Sequence, residues 1–261
     1  MIHETAIVAP GAELGENVDV GPYAVIDDHV TVGSNCRIGP RVTLLGHTTI
    51  GAQTQIHTGA VVGDEPQDHH YNGELSYTKI GENCTIREYV TIHRGAQKDS
   101  VTVIGNNVML MGLSHVAHNA VIADGVIVAN SVLLAGHVEV GEKAFISGGV
   151  GVHQFARIGR LAMVGGHCRV IRDIPPFCLF QRDLMQGLNN VGLKRAGMND
   201  AARRSLKQVY RIFFRMGLKQ SEALERIRNE MGDCQEAEEF VRFVEQSSRG
   251  IESARTGRIG R

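Results

Sequence analysis

Aliphatic residues recur every six positions through the first two-thirds of this chain. From Ile2 the series runs through Val8, Leu14, Val20, Ile26, Val32, Ile38, Leu44, Ile50, Ile56 and Val62. It resumes at Ile80, Ile86 and Ile92, then again at Ile104, and continues unbroken to Val170. Of the 29 positions in the series, 26 are Ile, Val or Leu, which chance spacing in an apolar chain does not give. The exceptions, Asp68, Glu74 and Lys98, all fall in two polar stretches, 63–79 and 94–103. A period of six matches neither an amphipathic helix nor a simple hairpin strand. It matches a parallel β-helix with flat sides, each hexapeptide giving a short strand and a turn and sending one aliphatic side chain into a narrow core. Gly often follows the aliphatic residue, as in VGPY, VGSN and IGPR, where a turn is expected to use its backbone freedom. With three hexapeptides to a coil, residues 18 apart are stacked and residues 2–170 make about nine coils. The polar stretches are expected as loops that leave the prism and return in register.

After Val170 the period changes. Paired prolines in DIPP, 173–176, are a breaker because they cannot continue a ladder. From about Asn199 the spacing is helical, with Leu206, Val209, Tyr210 and Phe213 on one face and an end near Gly217. Asn199 or Asp200 is expected to cap that helix, and Ser221 a second one running to about Met231. A third is expected from Glu236 to Gln246. The chain therefore divides into a β-helix, 1–172, and a small C-terminal helical domain, 173–261. The closing SARTGRIGR has nothing to bury and is expected to fray.

Composition narrows the function classes. The formal net charge is −1, so no global field points to nucleic acid or a membrane surface. No apolar run approaches the length of a membrane span and the N-terminus lacks a signal-peptide pattern, so no stable membrane insertion is expected. Five scattered cysteines without a C-x-x-C pair argue against a disulfide framework or a zinc knuckle and fit a reducing cytoplasm. One local imbalance stands out. Between Gly192 and Lys219 lie Lys194, Arg195, Arg203, Arg204, Lys207, Arg211, Arg215 and Lys219 against the single acid Asp200. Such a patch would steer an acidic partner protein, or is simply a solvated helix face.

The candidate chemistry sits in SHVAHN, 114–119. His118 and His137 are one coil plus one residue apart, and His153 lies one coil minus two beyond. Gln154 is two full coils from His118. These polar groups converge on one side of the prism, where the repeat itself requires nothing polar. A metal site, an acid/base group and a polar ladder against another subunit all remain open at this point. His29 and His47, also 18 apart, are read as exposed turn residues without a task.

The ordered set IHRG (92–95), SHVAHN (114–119), LAGH (134–137), VHQF (152–155), MVGG (163–166), IPPF (174–177) and GLKR (192–195) resembles the bacterial acyl-[acyl carrier protein]:UDP-N-acetylglucosamine O-acyltransferases, which begin lipid A synthesis. The resemblance covers nearly the whole chain. It implies a left-handed β-helix, an exception to the right-handed crossover rule, and a cytoplasmic homotrimer with sites between neighbouring prisms. It implies His118 as general base and the Gly136 N–H as oxyanion donor. His115, His137, His153 and Gln154 would contact the sugar nucleotide or the acyl group. Asp68 would bind the sugar with His70 beside it. Asn189 and Arg195 would hold the uridine diphosphate, and Gly166 would leave room for a long acyl chain. Acyl carrier protein is the implied donor, with neither cofactor nor metal.

Four positions depart from the family pattern. His70 stands where a lysine is usual, Val191 where an acid is usual, Ala196 for the second arginine of a pair, and Asn119 for the aspartate after the base. An amino-sugar acceptor giving an amide product stays open, as does a non-catalytic nucleotide-sugar-binding trimer. A zinc hydratase of the carbonic anhydrase type shares the fold, but H-x-x-H is not its expected spacing.

Overall fold

The computed structural model describes residues 1–254. Each hexapeptide forms a strand of two residues, such as Val25–Ile26, Arg37–Ile38 and Thr43–Leu44, whose second residue is the buried aliphatic one. Successive strands are dealt in rotation to three walls, which among the described residues are sheets of nine, eight and ten strands, all parallel but for the last strand of the third. Pairing joins Ile7 to Val25 and His115 to Leu133, the expected eighteen-residue step. The result is a left-handed parallel β-helix followed by helices. Its core is one aliphatic column per wall; Ile26, Ile38, Leu44, Ile92 and Leu110 are all at most 1% exposed. Each such side chain contributes about 1.5–3 kcal/mol by burial, so many small, equivalent contacts hold the prism rather than one aromatic nucleus.

The glycines do a different job from the one expected. The left-handed backbone at the turns is carried mainly by other residues, among them Asn17, Asn35, Gln53, Asn107 and Asn119 with φ of 56–61°. Asn tolerates that region better than most L-residues. Glycine after the aliphatic residue instead answers crowding between coils. A Cβ on Gly33 would lie 2.6 Å from the Ala52 nitrogen, and one on Gly51 would lie 2.5 Å from the Gly81 carbonyl carbon.

The two inserts hold register by length. Val62 pairs with Ile92, thirty residues on, and Ile92 with Val116, twenty-four on. Both excesses over eighteen are multiples of six, so the aliphatic series stays in phase and Asp68, Glu74 and Lys98 merely count as repeat positions. Strands Val61–Asp64, Tyr77–Ile80 and Val101–Ile104 extend into the polar stretches. The irregular parts are therefore 65–76 and 94–100. Both leave from the edge joining the first wall to the second.

The six-residue pattern ends at Val170, but the third wall does not. Cys178–Gln181 pairs parallel with Met163–Val164, and Leu184–Leu188 folds back antiparallel. Fully buried Phe177 and Phe180 close the core beneath this hairpin. Two added strands thus fall where the sequence pattern led us to expect only helices, because their apolar residues follow no period of six.

Four helices follow: α1 Asn190–Arg195, α2 Asp200–Arg215, α3 Gln220–Met231 and α4 Gln235–Glu245. Asn199 caps α2 as expected, accepting from the Ala202 N–H at 2.8 Å. The α3 cap position is Lys219 rather than Ser221, with the Glu222 carboxylate accepting from the Lys219 N–H. Helix α1, only one and a half turns, is too short to show periodicity. The helical unit docks through Arg160, bidentate on Glu239, and through Arg157, stacked 4.3 Å from the Phe243 ring. A final strap crosses the prism end. Glu252 accepts from the Ile171 and Arg172 N–H groups at 2.9 Å, and Ala254 bridges Met185. Ser253 and Ala254 are thus tied down; the rest of the tail expected to fray lies outside the described residues.

Candidate active site

His118 sits in the corner between strands His115–Val116 and Val121–Ile122, on the edge from which both inserts depart. The next residue, Asn119, takes the left-handed turn position with φ of 61°. Its N–H donates to the buried Thr102 hydroxyl at 2.8 Å, which fixes the corner. His137 and Phe155 occupy the same turn position on the next two coils, with φ of 60° and 62°. Their side chains therefore stack: the His118 and His137 rings meet edge to face at 5.3 Å, and His137 lies flat on Phe155 at 4.6 Å.

The hydrogen bonds define which nitrogen of His118 carries the proton. The Asn119 amide oxygen accepts from the Ala96 N–H at 3.0 Å and lies 2.9 Å from His118 Nδ1. An atom that accepts from a backbone N–H is the carbonyl oxygen, so the ring nitrogen facing it must be the donor. Neutral His118 thus carries its proton on Nδ1 and presents a free lone pair at Nε2. That nitrogen lies 3.9 Å from a carboxylate oxygen of Asp68, which reaches over from the first insert.

Asp68 accepts from the His70 N–H at 3.0 Å and from the His70 ring at 3.1 Å. These bonds, the backbone one first, hold its carboxyl below the usual range, with a smaller contribution from His118. The His70 side chain is itself almost wholly exposed. Gly136 lies one coil above His118, and a Cβ there would come within 2.6 Å of both Cε1 and Nε2 of the imidazole. The ring fits only because residue 136 has no side chain. The Gly136 N–H has no acceptor among the described residues.

The neighbouring imidazoles are kept neutral. Burial, then His93 and His118, lowers His115 to about 4, while its Nδ1 pairs with the Thr91 hydroxyl at 2.7 Å. His93 is pushed down by burial, packs against His115 at 4.8 Å, and leaves its Nδ1 buried without a partner. Burial and then His118 lower His137, against the pull of Asp68. Among the described residues no group of three His, Cys, Asp or Glu is arranged to hold a metal ion.

The comparisons agree along the chain. Residues 173–252 match the model described as "Udp N-acetylglucosamine O-acyltransferase; Domain 2", and 29–64 and 102–136 match "Bacterial transferase hexapeptide (six repeats)". The acyl-[acyl-carrier-protein]–UDP-N-acetylglucosamine O-acyltransferase of Trichlorobacter lovleyi is 48% identical over 256 residues, covering 96% of this chain and 98% of that protein. The chain belongs to this family. The corresponding protein of Gloeothece citriformis is 51% identical over 177 residues, 67% of this chain and 64% of that protein. A crystal structure of a UDP-N-acetylglucosamine acyltransferase from Bacteroides fragilis superposes with a TM-score of 0.94 at 40% identity, covering 96% of this chain and 99% of that one.

Other family-matched residues lie further off. His153 and Gln154 share the edge but are exposed, and the one hydrogen-bond partner of the His153 ring among the described residues is the Gln154 carbonyl, at 3.2 Å. Gly166 is on another edge, between the third and first walls, where a Cβ would find nothing closer than the Gly148 oxygen at 3.3 Å. Asn189 and Arg195, the cap and last residue of α1, lie against the third wall. They line a groove of about 670 Å³ with Lys143, Phe145 and Met163. The Asn189 amide caps α1 through the Gly192 N–H and donates to the Leu161 carbonyl at 2.9 Å. One chain therefore brings together His118, Asp68, His70, Asn119, Gly136, His137 and His115, but not the third-wall pair. Three neighbours went unread in the sequence: Phe155, His93 and Thr91. Phe155 had a signal, since it lies 18 residues beyond His137.

Proposed function

We propose that this protein transfers a (3-hydroxy)acyl group from acyl carrier protein to the 3-hydroxyl of UDP-N-acetylglucosamine, opening lipid A synthesis, as a cytoplasmic homotrimer. The observation that carries the reading is the fixed imidazole of His118, with its proton on Nδ1 and its lone pair at Nε2 beside Asp68.

His118 Nε2 takes the proton of the sugar hydroxyl as that oxygen forms its bond to the thioester carbonyl carbon. The carbonyl electron pair moves onto oxygen, where the unpartnered Gly136 N–H is the donor at hand. The adduct collapses, the carbon–sulfur bond breaks, and the imidazolium returns its proton to the departing thiolate. General-base help of this kind is typically worth about 10²–10⁴ in rate. Asp68 and His70 hold the sugar, while His115, His137, His153 and Gln154 line the path of sugar nucleotide and acyl group. Arg195 takes the diphosphate, to which a guanidinium is well matched. Asn189 holds the helix that presents it. The third-wall groove and the His118 edge are apart in one chain, which favours a trimer in which one subunit's groove faces its neighbour's base. Lys194, Arg204, Lys207, Arg211, Arg215 and Lys219 are exposed and offer the acidic donor protein a landing surface.

The test incubates the protein with 3-hydroxyacyl carrier protein and labelled UDP-N-acetylglucosamine. A base-labile ester is expected, and His118→Ala is expected to lose at least about 10²-fold in kcat. No product, or an unaffected variant, refutes the reading; a base-stable amide from an amino-sugar nucleotide instead reassigns the acceptor. Mixing His118→Ala with Arg195→Ala subunits tests the shared site. Each is impaired alone, and an equal random mixture should recover activity at about a quarter of all sites, one in three within each mixed trimer.

A further inference from the structure

A polar side chain faces each ring nitrogen of His118, and each is tied to a different insert. On the Nδ1 side Asn119 also binds Ala96 of the second insert; on the Nε2 side stands Asp68 of the first. Arg94 joins the two. From the start of the second insert its Nη1 donates to the Gly63 carbonyl at 3.0 Å. Its Nη2 and Nε donate to the Tyr71 hydroxyl at 2.8 and 3.2 Å, and Nη2 also reaches Glu65 at 3.3 Å. Its own N–H donates to the Asp64 carbonyl at 3.0 Å. Beyond the guanidinium, the Tyr71 hydroxyl donates to the Glu74 carbonyl at 3.2 Å and the Tyr71 N–H to the Asp68 carbonyl at 3.1 Å. Arg94 thus holds the first insert before and after Asp68. Little else does, because between Asp64 and Ser76 only Pro66 is buried.

We propose that Arg94 is a positioning residue, coupling the two inserts so that Asp68 is kept beside Nε2 of the imidazole whose Nδ1 Asn119 orients. A planar fork of donors can meet these acceptors together, which a lysine ammonium cannot. The inference rests on the reading of Asp68 as a substrate carboxylate. Its test is therefore built to separate the two.

Arg94→Gln, and the milder Tyr71→Phe, are made in the parent protein and in Asp68→Asn. Binding of UDP-N-acetylglucosamine by calorimetry should weaken about 10-fold for Arg94→Gln and about 3-fold for Tyr71→Phe, with no further loss in the Asp68→Asn background. Equal losses in both backgrounds overturn the proposal. Amide exchange in the ligand-free protein supplies the second arm. Exchange should quicken across 65–74 and stay unchanged at wall residues Ile80 and Ile104; an unchanged loop overturns the proposal whatever the protein binds. If the parent binds no nucleotide sugar, the acyltransferase reading fails and the exchange result alone decides on Arg94. Should Arg94→Gln not fold, Tyr71→Phe carries both arms.

Discussion

Two pairs of histidines lie on the same edge of this prism, and only one is built into a site. His29 and His47 stack face to face, 4.3 Å apart and within 4° of parallel, with Tyr77 edge-on to His47. His118 and His137 meet at right angles 5.3 Å apart. The first pair is 18 residues apart and the second 19, so the repeat puts each pair on successive coils and this one-residue difference alone does not mark a site. The difference comes from what surrounds the rings. Neither ring of the first pair has a hydrogen-bond partner among the described residues; His29 is exposed, as expected, but His47 begins the strand His47–Ile50 and is half-buried, because Tyr77 packs against it, rather than being an exposed turn residue. His118 has an oxygen to orient its Nδ1, a carboxylate near its Nε2, and a glycine on the coil above it. A histidine in a regular fold becomes a candidate base when the departures from the regularity converge on it.

The comparison breaks most sharply at Gly136. Gly136→Ala places a methyl group 2.6 Å from His118 Nε2, so the ring must leave its seat. A loss of about 10²–10³ in kcat is expected from the displaced base and oxyanion donor together, with the thermal midpoint hardly changed. Steady-state kinetics and a melt on the same sample check both halves. A variant with parental kcat would show that the ring seat is not what separates the two pairs.

Asn119 sharpens the same contrast on the other face of the ring. Asn119→Ala removes the acceptor that keeps the proton on Nδ1, and a fall of about 10–100-fold in kcat is expected. Asn119→Asp keeps an oxygen for both the Ala96 N–H and the imidazole, so its kcat should stay within about threefold of the parent or exceed it. Nitrogen-detected NMR of the histidine rings reads the proton's position directly. If Asn119→Ala leaves it on Nδ1, the orientation has another source.

These two residues also mark how far the sequence could be read. The prism was legible because one aliphatic residue per hexapeptide is a physical requirement of a narrow core, repeated without exception from Ile104 to Val170. His118 and His137 were legible as neighbours, with His153 and Gln154 on the same edge, because the coil length turns sequence distance into height. Asp68 was not, except through family resemblance, because an irregular insert carries no period and its path depends on Arg94 and Tyr71. The hairpin 178–188 and helix α1 escaped for a related reason: each is shorter than the window in which a period shows. The meaning of Asn119 needed the Ala96 N–H, a contact across 23 residues. Arg195 and Asn189 lie against another wall, and no intrachain spacing links them to His118.

A smaller effect should separate the two regions by pH. His115, behind the site, has its pKa lowered from 6.5 to about 4, chiefly by burial. The unfolded chain therefore binds a proton on falling through pH 6.5 that the folded chain takes up only near pH 4. Stability is full above the unfolded value and declines between the two, by on the order of 2 kcal/mol once allowance is made for the solvent that still reaches the ring. His115→Gln should flatten the denaturation midpoint across that window. An unchanged slope would mean that His115 does not titrate in this range.

The smallest effect belongs to the pair that opened the comparison. His29→Ala and His47→Ala should each leave kcat and KM for the nucleotide sugar within about twofold of the parent. Their rings lie on the same edge, yet neither touches an insert residue that contacts His118. His47→Ala should be the more costly for stability, because its ring packs against the rings of both His29 and Tyr77, while among the described residues the His29 ring meets only that of His47. Even so the loss should stay within about 1 kcal/mol, as for half-exposed stacking. A drop in kcat from either change, at parental stability, would extend the functional edge down to the first coils. It would also mean that stacked position, rather than convergence of the inserts, is what makes a histidine matter here.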